Sequence, residues 1–280
     1  MSATASPLPE AAPLSVAGIT LAARDIATLS GFYAALLGTA AEPDTAAPGA
    51  LRFPLRGATL RLLPAPGAKP EQGSEPGLFH TAFLLPDRRA LSGWLHHALG
   101  MGVRLQGASD HGVSEALYLA DPEGNGIEVY FDRPRGEWPR DEQGGVAMFT
   151  HRLDLRALLE DTNGPALAAE ATRIGHVHLR GGNIPATEAF YRSLGFAVMH
   201  RRPQASFLAT GGYHHHLAVN GWNSSGVRPA GLAGLAELAL RASGPSAPRV
   251  AQAMQAAQPE GEGLWAVDPS GNRIRLEASE

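Results

Sequence analysis

Along several short stretches of the chain apolar and polar residues alternate. Each such stretch gives way to one in which apolar residues return every three or four positions. The first pattern is that of a half-buried strand, the second that of an amphipathic helix. Residues 16–21 (VAGITL) alternate and lead through Asp25 into LSGFYAALLG, a helical run closed by Gly38. Residues 174–179 (IGHVHL) do the same and lead into TEAFYRSLGF, closed by Gly195. Glycine just past a helical run is a common stop signal. The pairs Phe32-Tyr33 and Phe190-Tyr191 stand equally far from Gly18 and His176, so the two stretches are weak copies in register. Short strands follow in each, LRFPL and ATLRLL in one, SFLAT and HHHLAVN in the other.

A second pair of copies interleaves with the first. LFHTAFLLPD, a helix ALSGWLHHALG and ALYLADPEGNGIEVYFD run from 78 to 132. LAELALRA, a helix PRVAQAMQAA and GLWAVDPSGNRIRLEAS run from 235 to 279. DPEGNG and DPSGNR are turn sequences joining two strands of a hairpin. The pattern predicts four βαβββ modules at 15–70, 76–132, 173–222 and 231–280, preceded by a flexible leader over 1–14. A charged, Pro/Gly-bearing connection over 133–172 with its own short helix, LDLRALLED, separates the middle two. One such module is a curved half-sheet that cannot bury its inner face alone, whereas two together close a cup. The expected fold is therefore α+β, four modules forming two cupped, barrel-like sheets with helices outside.

The 280 residues suit two domains of ordinary size, and 44% hydrophobic with 18% charged residues is a globular composition. A net charge of −4 without a Lys/Arg cluster gives no basic footprint for nucleic acid or an anionic membrane. No apolar run approaches the about 20 residues of a membrane span. The opening MSATASPLPEAAPLS has neither a basic start nor an apolar core, so a cytoplasmic protein without a signal peptide is expected. With no cysteine, disulfides, thiolate zinc sites, iron–sulfur clusters and cysteine nucleophiles are excluded, and eleven histidines remain. Any metal is left to imidazole and carboxylate ligands.

Alternate strand residues share a face, so His176 and His178 point together on the first strand of the third module. His80 holds the equivalent place in the second module, since HTAF matches HVHL. Glu128 lies between Ile127 and Val129 on the last strand of that module, where a carboxylate is costly unless paired or bound to metal. Each residue alone has an ordinary reading, a partly buried histidine or a solvated glutamate. Together they offer two imidazoles and one carboxylate from separate strands, a set that suits non-haem Fe(II) with open positions.

The four-module pattern over about 14–279 resembles the vicinal oxygen chelate superfamily. Within it, SDHGVSEALYLADPEGNGIE resembles the signature of the type I extradiol ring-cleaving dioxygenases, through His111, Leu117, Tyr118, Asp121, Pro122, Gly124 and Glu128. Ser109 departs from that signature two residues before His111. The HAF-like strand, VSEALYL, GIE followed by DRPR, GHVHL and GGYHHH are similar to the catechol-2,3-dioxygenases of that group. The resemblance implies metal ligation by His80, His176 and Glu128, and acid–base work by His215. It also implies that His111 and Tyr118 line the pocket and hydrogen-bond the substrate, which would be a small aromatic diol attacked by O₂. Fe(II) is the implied cofactor, with Mn(II) able to suit the same donors. Aromatic compound catabolism and a homo-oligomer are further expectations of the resemblance.

Better-known extradiol enzymes pair the first module with the second and the third with the fourth. Here Gly18, Glu237 and Arg275 occupy ligand-equivalent positions in the first and fourth modules, and an arginine repels a divalent cation. The second and third modules are therefore expected to form the catalytic cup, and the first and fourth a metal-free one. His178 is expected on the face of His176; His214 and His216 are expected opposite His215; His96, His97, His151 and His200 are expected at the surface or in packing. Two other classes fit the same scaffold: a glyoxalase-like metal-dependent isomerase or lyase, which calls for a second carboxylate where His215 stands, and a non-catalytic small-molecule binding protein.

Overall fold

A computed structural model describes residue 9 and residues 12–45, 47–142, 144–162, 164–256 and 264–277. The chain runs four times through a strand, a helix and further strands. The first passage comprises β1 (Leu14–Ala23), α1 (Ile26–Leu37), β2 (Glu42–Pro43), β3 (Leu51–Leu55) and β4 (Ala58–Pro64). The second comprises β5 (Gly77–Leu85), α2 (Arg88–Gly100), β6 (Gly107–Asp110), β7 (Ser114–Ala120) and β8 (Gly126–Asp132). A connection follows with β9 (His151–Arg152) and α3 (Leu155–Leu159). The third passage is β10 (Arg173–Arg180), α4 (Ile184–Leu194), β11 (Ala197–Arg202), β12 (Ala205–Ala209) and β13 (Leu217–Asn220). The fourth is β14 (Gly234–Ala242), α5 (Ala247–Ala256), β15 (Trp265–Val267) and β16 (Arg273–Glu277).

The helices start and stop on chemistry visible in the chain. Asp25 caps α1 by accepting from the Thr28 amide at 3.0 Å, and Asn183 caps α4 by accepting from the Ala186 amide at 3.1 Å. Gly38 and Gly195 end the two helices with φ of 68° and 115°, a conformation that glycine adopts without strain. Among the described residues, no helix is long and apolar enough to cross a membrane.

Two curled sheets result. One runs β11-β12-β13-β10-β5-β8-β7-β6-β9 and the other β15-β16-β14-β1-β4-β3-β2. The second and third passages therefore share one sheet through antiparallel β5 and β10, and the first and fourth share the other through antiparallel β1 and β14. The connection between the second and third passages is not a bare linker, because β9 extends the larger sheet at its edge by pairing with β6.

A second set of contacts joins the passages differently. The buried Tyr33 on α1 donates to Asp121 at 3.0 Å, and the buried Tyr191 on α4 donates to Asp268 at 3.1 Å. Each aspartate also accepts from an asparagine four residues on, Asn125 or Asn272, through both backbone and side-chain nitrogen. The Phe-Tyr pairs and the two aspartate turns are thus halves of one device, and it ties the two sheets together. Of the 1–14 leader, residues 1–8, 10 and 11 lie outside the described residues. Pro9 accepts from His216 Nε2 at 3.0 Å, and the Leu14 amide donates to Thr210 Oγ1 at 3.0 Å.

Candidate metal centre and cavity

Three strands of the larger sheet build the centre by register. Ala82 on β5 pairs with Glu128 on parallel β8 and with His176 on antiparallel β10. Glu128, Ala82 and His176 therefore form a row across the sheet, and the methyl of Ala82 leaves space for the two long side chains to meet over it. His80 stands two residues along β5 and so shares the face of Ala82. The pairing is irregular on both sides of this segment, with Gly175 extra on β10 and Phe79 extra on β5, and between them His176 and His178 lie opposite Ala82 and His80 on this face.

His80 Nε2 lies 3.0 Å and His176 Nε2 3.3 Å from the same oxygen, Glu128 Oε2. The ligand atoms of the three residues fall within 4.8 Å of one another, and all three are buried. A divalent ion held at about 2.0–2.2 Å by such ligands separates neighbouring donors by about 3 Å in octahedral geometry. The spacing fits that ion. His80 Nε2 is a buried nitrogen off the line of any hydrogen bond despite its nearness to Glu128, which is the state of a donor atom awaiting a cation. Among the described residues this is the one group of three such side chains close enough to share an ion.

The protonation states match. Burial pushes the Glu128 carboxyl up, but the His176 and His80 imidazoles outweigh it and hold it well below the usual range. Burial lowers His176, and lowers His178 and His215 further together with the neighbouring imidazoles. An ionised carboxylate is the form that binds a metal, and the lowering of His176 by burial favours a ring with a lone pair to give.

The centre opens into a cavity of about 300 Å³ whose walls include Phe79, His111, Tyr118, His178, Phe207, His215 and Trp222. His111 and Tyr118 form one wall. His111 Nδ1 donates to the Phe149 carbonyl at 2.8 Å, which leaves Nε2 to accept from the Tyr118 hydroxyl at 2.7 Å. Burial, and next the Glu128 charge, push the Tyr118 phenol well above its ordinary value, so it stays a neutral hydroxyl. His178 pairs with His80 across the strands and accepts from Asn220 Nδ2 at 2.9 Å.

His215 departs from the expected strand placement. β13 begins only at Leu217, so His214, His215 and His216 occupy the turn before it. There the three rings diverge. His214 Nε2 donates to Asp132 Oδ1 at 2.7 Å, and the Tyr213 hydroxyl donates to Asp132 Oδ2 at 2.6 Å. With its Nε2 hydrogen so used, His214 turns Nδ1 to His215 Nδ1, 2.8 Å away, as the acceptor. That fixes His215 as the tautomer whose Nε2 is bare. His216 turns the other way, toward Pro9 and Thr210. His214 was expected opposite His215; instead it supports His215 from behind.

His96 and His97 bond backbone carbonyls of Leu159 and Ala35, and exposed His151 stacks on Phe149, as packing roles require. His200 lies on β11 within 6.0 Å of the Phe207 ring. Sequence reasoning missed Asp132, the role of His214, the cavity residues Phe79, Arg202, Phe207 and Trp222, and Met148 and Thr150 of the connection. Only the first two carried a signal, since they lie in DRPR and GGYHHH, segments that share in the resemblance described above. In the smaller sheet the same register row reads Arg275, Ala239 and Gly18, and Glu237 stands where His80 does. Glu237 there pairs with Arg275 at 2.6 Å and Arg273 at 3.1 Å.

Residues 18–130 match a family model described as a glyoxalase-like domain. Over 158 residues the chain is 42% identical to a catechol-2,3-dioxygenase of Bacillus subtilis (strain 168), covering 55% of each sequence. The chain thus matches about half the length of that curated relative. Among solved structures, it superposes on a presumed dioxygenase from Bacillus subtilis subsp. subtilis str. 168 with a TM-score of 0.63, at 13% identity, covering 94% of this chain and 84% of that one. Glyoxalase I from Zea mays gives a TM-score of 0.54 at 15% identity, covering 94% and 92%. At these identities the structural likenesses concern the fold.

Proposed function

We propose, from the premise that this chain carries a glyoxalase-like domain and the fold of the vicinal oxygen chelate superfamily, that it is an extradiol dioxygenase. It would open a catechol-type ring with O₂ at a mononuclear Fe(II) held by His80, His176 and Glu128. The observation that carries the reading is the register row of Glu128, Ala82 and His176 with His80 beside it, two imidazoles and one carboxylate facing a cavity. The identity to a catechol-2,3-dioxygenase over half of the chain supports the reaction class. Bound Fe(II) would supply Lewis acidity to the diol oxygens and a place for O₂ beside them, and Mn(II) suits the same donors.

The chain's own groups have separable tasks. His215 presents a bare Nε2 and takes the proton of a diol hydroxyl. Asp132, through His214, holds that imidazole in the right tautomer and steadies it once protonated. Tyr118, its hydrogen directed at His111, offers its oxygen to the substrate and fixes the ring's orientation. Phe79, Phe207 and Trp222 give the ring an apolar surface and keep water out. The glyoxalase-like alternative is the weaker reading, because the position on β13 that corresponds to Glu128 on β8 is Ala218, where that chemistry calls for a second carboxylate.

The test is direct. Protein loaded anaerobically with Fe(II) and then given catechol in air is expected to consume O₂ and form a yellow semialdehyde. Fully ferrous protein that leaves both O₂ and catechol untouched would refute the assignment.

A further inference from the structure

Among the described residues, one cation that lines the cavity forms no ion pair with an acid. Arg202 ends β11, and it is the sole lysine or arginine among the described lining residues. Its guanidinium donates through Nη1 to Thr150 Oγ1 at 3.1 Å and through Nη2 to the Met148 carbonyl at 3.1 Å. Both partners are neutral. A guanidinium has five N–H donors, so further donors remain in a fixed fork. The neighbouring Arg201 shows the contrast, since Glu188 clamps it at 2.9 and 2.7 Å. Among the described residues no carboxylate forms an ion pair with Arg202, whereas Arg61, Arg88, Arg133, Arg180, Arg228 and Arg275 each have one.

The cavity's other charge, Glu128, is committed to the metal centre. The positive charge of Arg202 is felt at the Tyr118 hydroxyl, where it opposes the rise caused by burial and Glu128. Arg202 therefore lies within electrostatic reach of the wall that orients the ring. The two contacts to 148 and 150 hold the guanidinium in place before anything binds, and a pre-ordered guanidinium suits the planar oxygens of a carboxylate. At about 300 Å³ the cavity falls in the range that holds drug-sized ligands, more than a bare diol ring requires.

We propose that Arg202 is a specificity-determining residue that receives a carboxylate substituent of the aromatic diol, so that the preferred substrate is an anionic catechol. This rests on the extradiol reading above. The test compares 3,4-dihydroxyphenylacetate with the neutral 4-ethylcatechol in wild-type, Arg202→Gln and Arg202→Lys protein. Anaerobic binding to the Fe(II)-loaded protein is followed by quenching of tryptophan fluorescence, since Trp222 lines the cavity, and kcat/KM is measured in parallel. Wild-type protein is expected to favour the acid by about 10-fold or more. Arg202→Gln should lower the acid-to-neutral ratio by about 10- to 100-fold, mainly through KM, as the loss of a charge-assisted hydrogen bond does. Arg202→Lys should restore part of that ratio. A wild-type preference for the neutral diol, or a ratio that Arg202→Gln leaves where it was, would overturn the proposal. The binding arm keeps the two questions apart. A protein that selects the acid but turns over neither compound contradicts the dioxygenase reading and leaves the Arg202 subsite standing.

Discussion

The task proposed for His215 depends on residues distant from it in sequence. Its ring is buried beside His176, with centroids 4.1 Å apart, and its tautomer is set by His214 and, behind it, Asp132. A general base removed from an active site costs about 10²- to 10⁴-fold in rate. Replacing His215 with Ala is expected to leave bound iron near its wild-type content while turnover of catechol falls in that range. Asp132→Asn keeps an acceptor for His214 but removes the charge, and a loss of about 10- to 100-fold is expected, as for other outer-sphere partners. Steady-state oxygen uptake with iron content measured on the same samples decides both. Iron lost from His215→Ala, or full turnover by either variant, would contradict the roles assigned.

At the scale of elements, the turns that lead into strands matter as much as the strands. Gly126 opens β8, and a Cβ built there would meet the Phe79 carbonyl oxygen at 2.0 Å and His80 Cβ at 3.1 Å. Because the obstacle is backbone on the neighbouring strand, Gly126→Ala should push β5 and β8 apart between His80 and Glu128. A cost of about 1–3 kcal/mol, an overpacking penalty, is expected together with weaker metal binding, read by thermal unfolding and by metal titration. A wild-type transition with wild-type affinity would show that the strands are less tightly set than the geometry says. The turn before β13 supplies a pH effect. His216 is pushed down to about 3 by burial, against the opposing pull of the Pro9 carbonyl. The Thr210 amide points at its Nδ1, which keeps that nitrogen bare. A group whose folded pKa lies below its unfolded value of about 6.5 adds stability above that pH and loses it as pH falls toward 3. His216→Gln should therefore flatten the fall in urea stability between pH 6 and 4 by up to about 1.4 kcal/mol per pH unit, the contribution of one proton. An unaltered slope would mean that His216 is already protonated in the folded protein.

Helices, first strands and aspartate turns were legible because local patterns encode them: Asp25 and Asn183 as caps, Gly38 and Gly195 as stops, alternation in VAGITL and IGHVHL. The short strands β2, β6, β9 and β11 were not, because their residues are largely polar or partly exposed and their pairing is decided by distant partners. The His80, Glu128 and His176 set could be picked from repeat register, whereas the His214 to Asp132 bond joins residues far apart in the chain and depends on a turn that alternation cannot describe.

At the scale of the whole molecule, one architecture is used twice with opposite electrostatic outcomes. Glu128, Ala82 and His176 in one sheet correspond to Arg275, Ala239 and Gly18 in the other, row for row. In the first, anionic and neutral donors surround a space for a cation. In the second, Arg275 and Arg273 are paired with Glu237, and Arg61 with Asp44, so the ion pairs satisfy one another without a metal. The backbone closes the second site as well, since a Cβ at Gly18 would stand 2.5 Å from the Thr59 carbonyl oxygen on β4. A histidine cannot be placed there without moving a strand. The expected stoichiometry is therefore one divalent ion per chain, lost in Glu128→Gln and kept in Glu237→Gln, by elemental analysis after anaerobic loading and desalting. Glu237→Gln should instead be mildly destabilised, by about 1 kcal/mol, because Arg275 and Arg273 keep solvent and Arg275 keeps Glu277 at 3.0 Å. Two equivalents bound, or an ion lost on changing Glu237, would mean that the cups divide the work differently. The Tyr33–Asp121 and Tyr191–Asp268 bonds give the smaller sheet a structural use, because each ties a helix of one passage to an aspartate turn in the other sheet. The first passage thus braces the turn that leads directly into β8, and through it the carboxylate of Glu128.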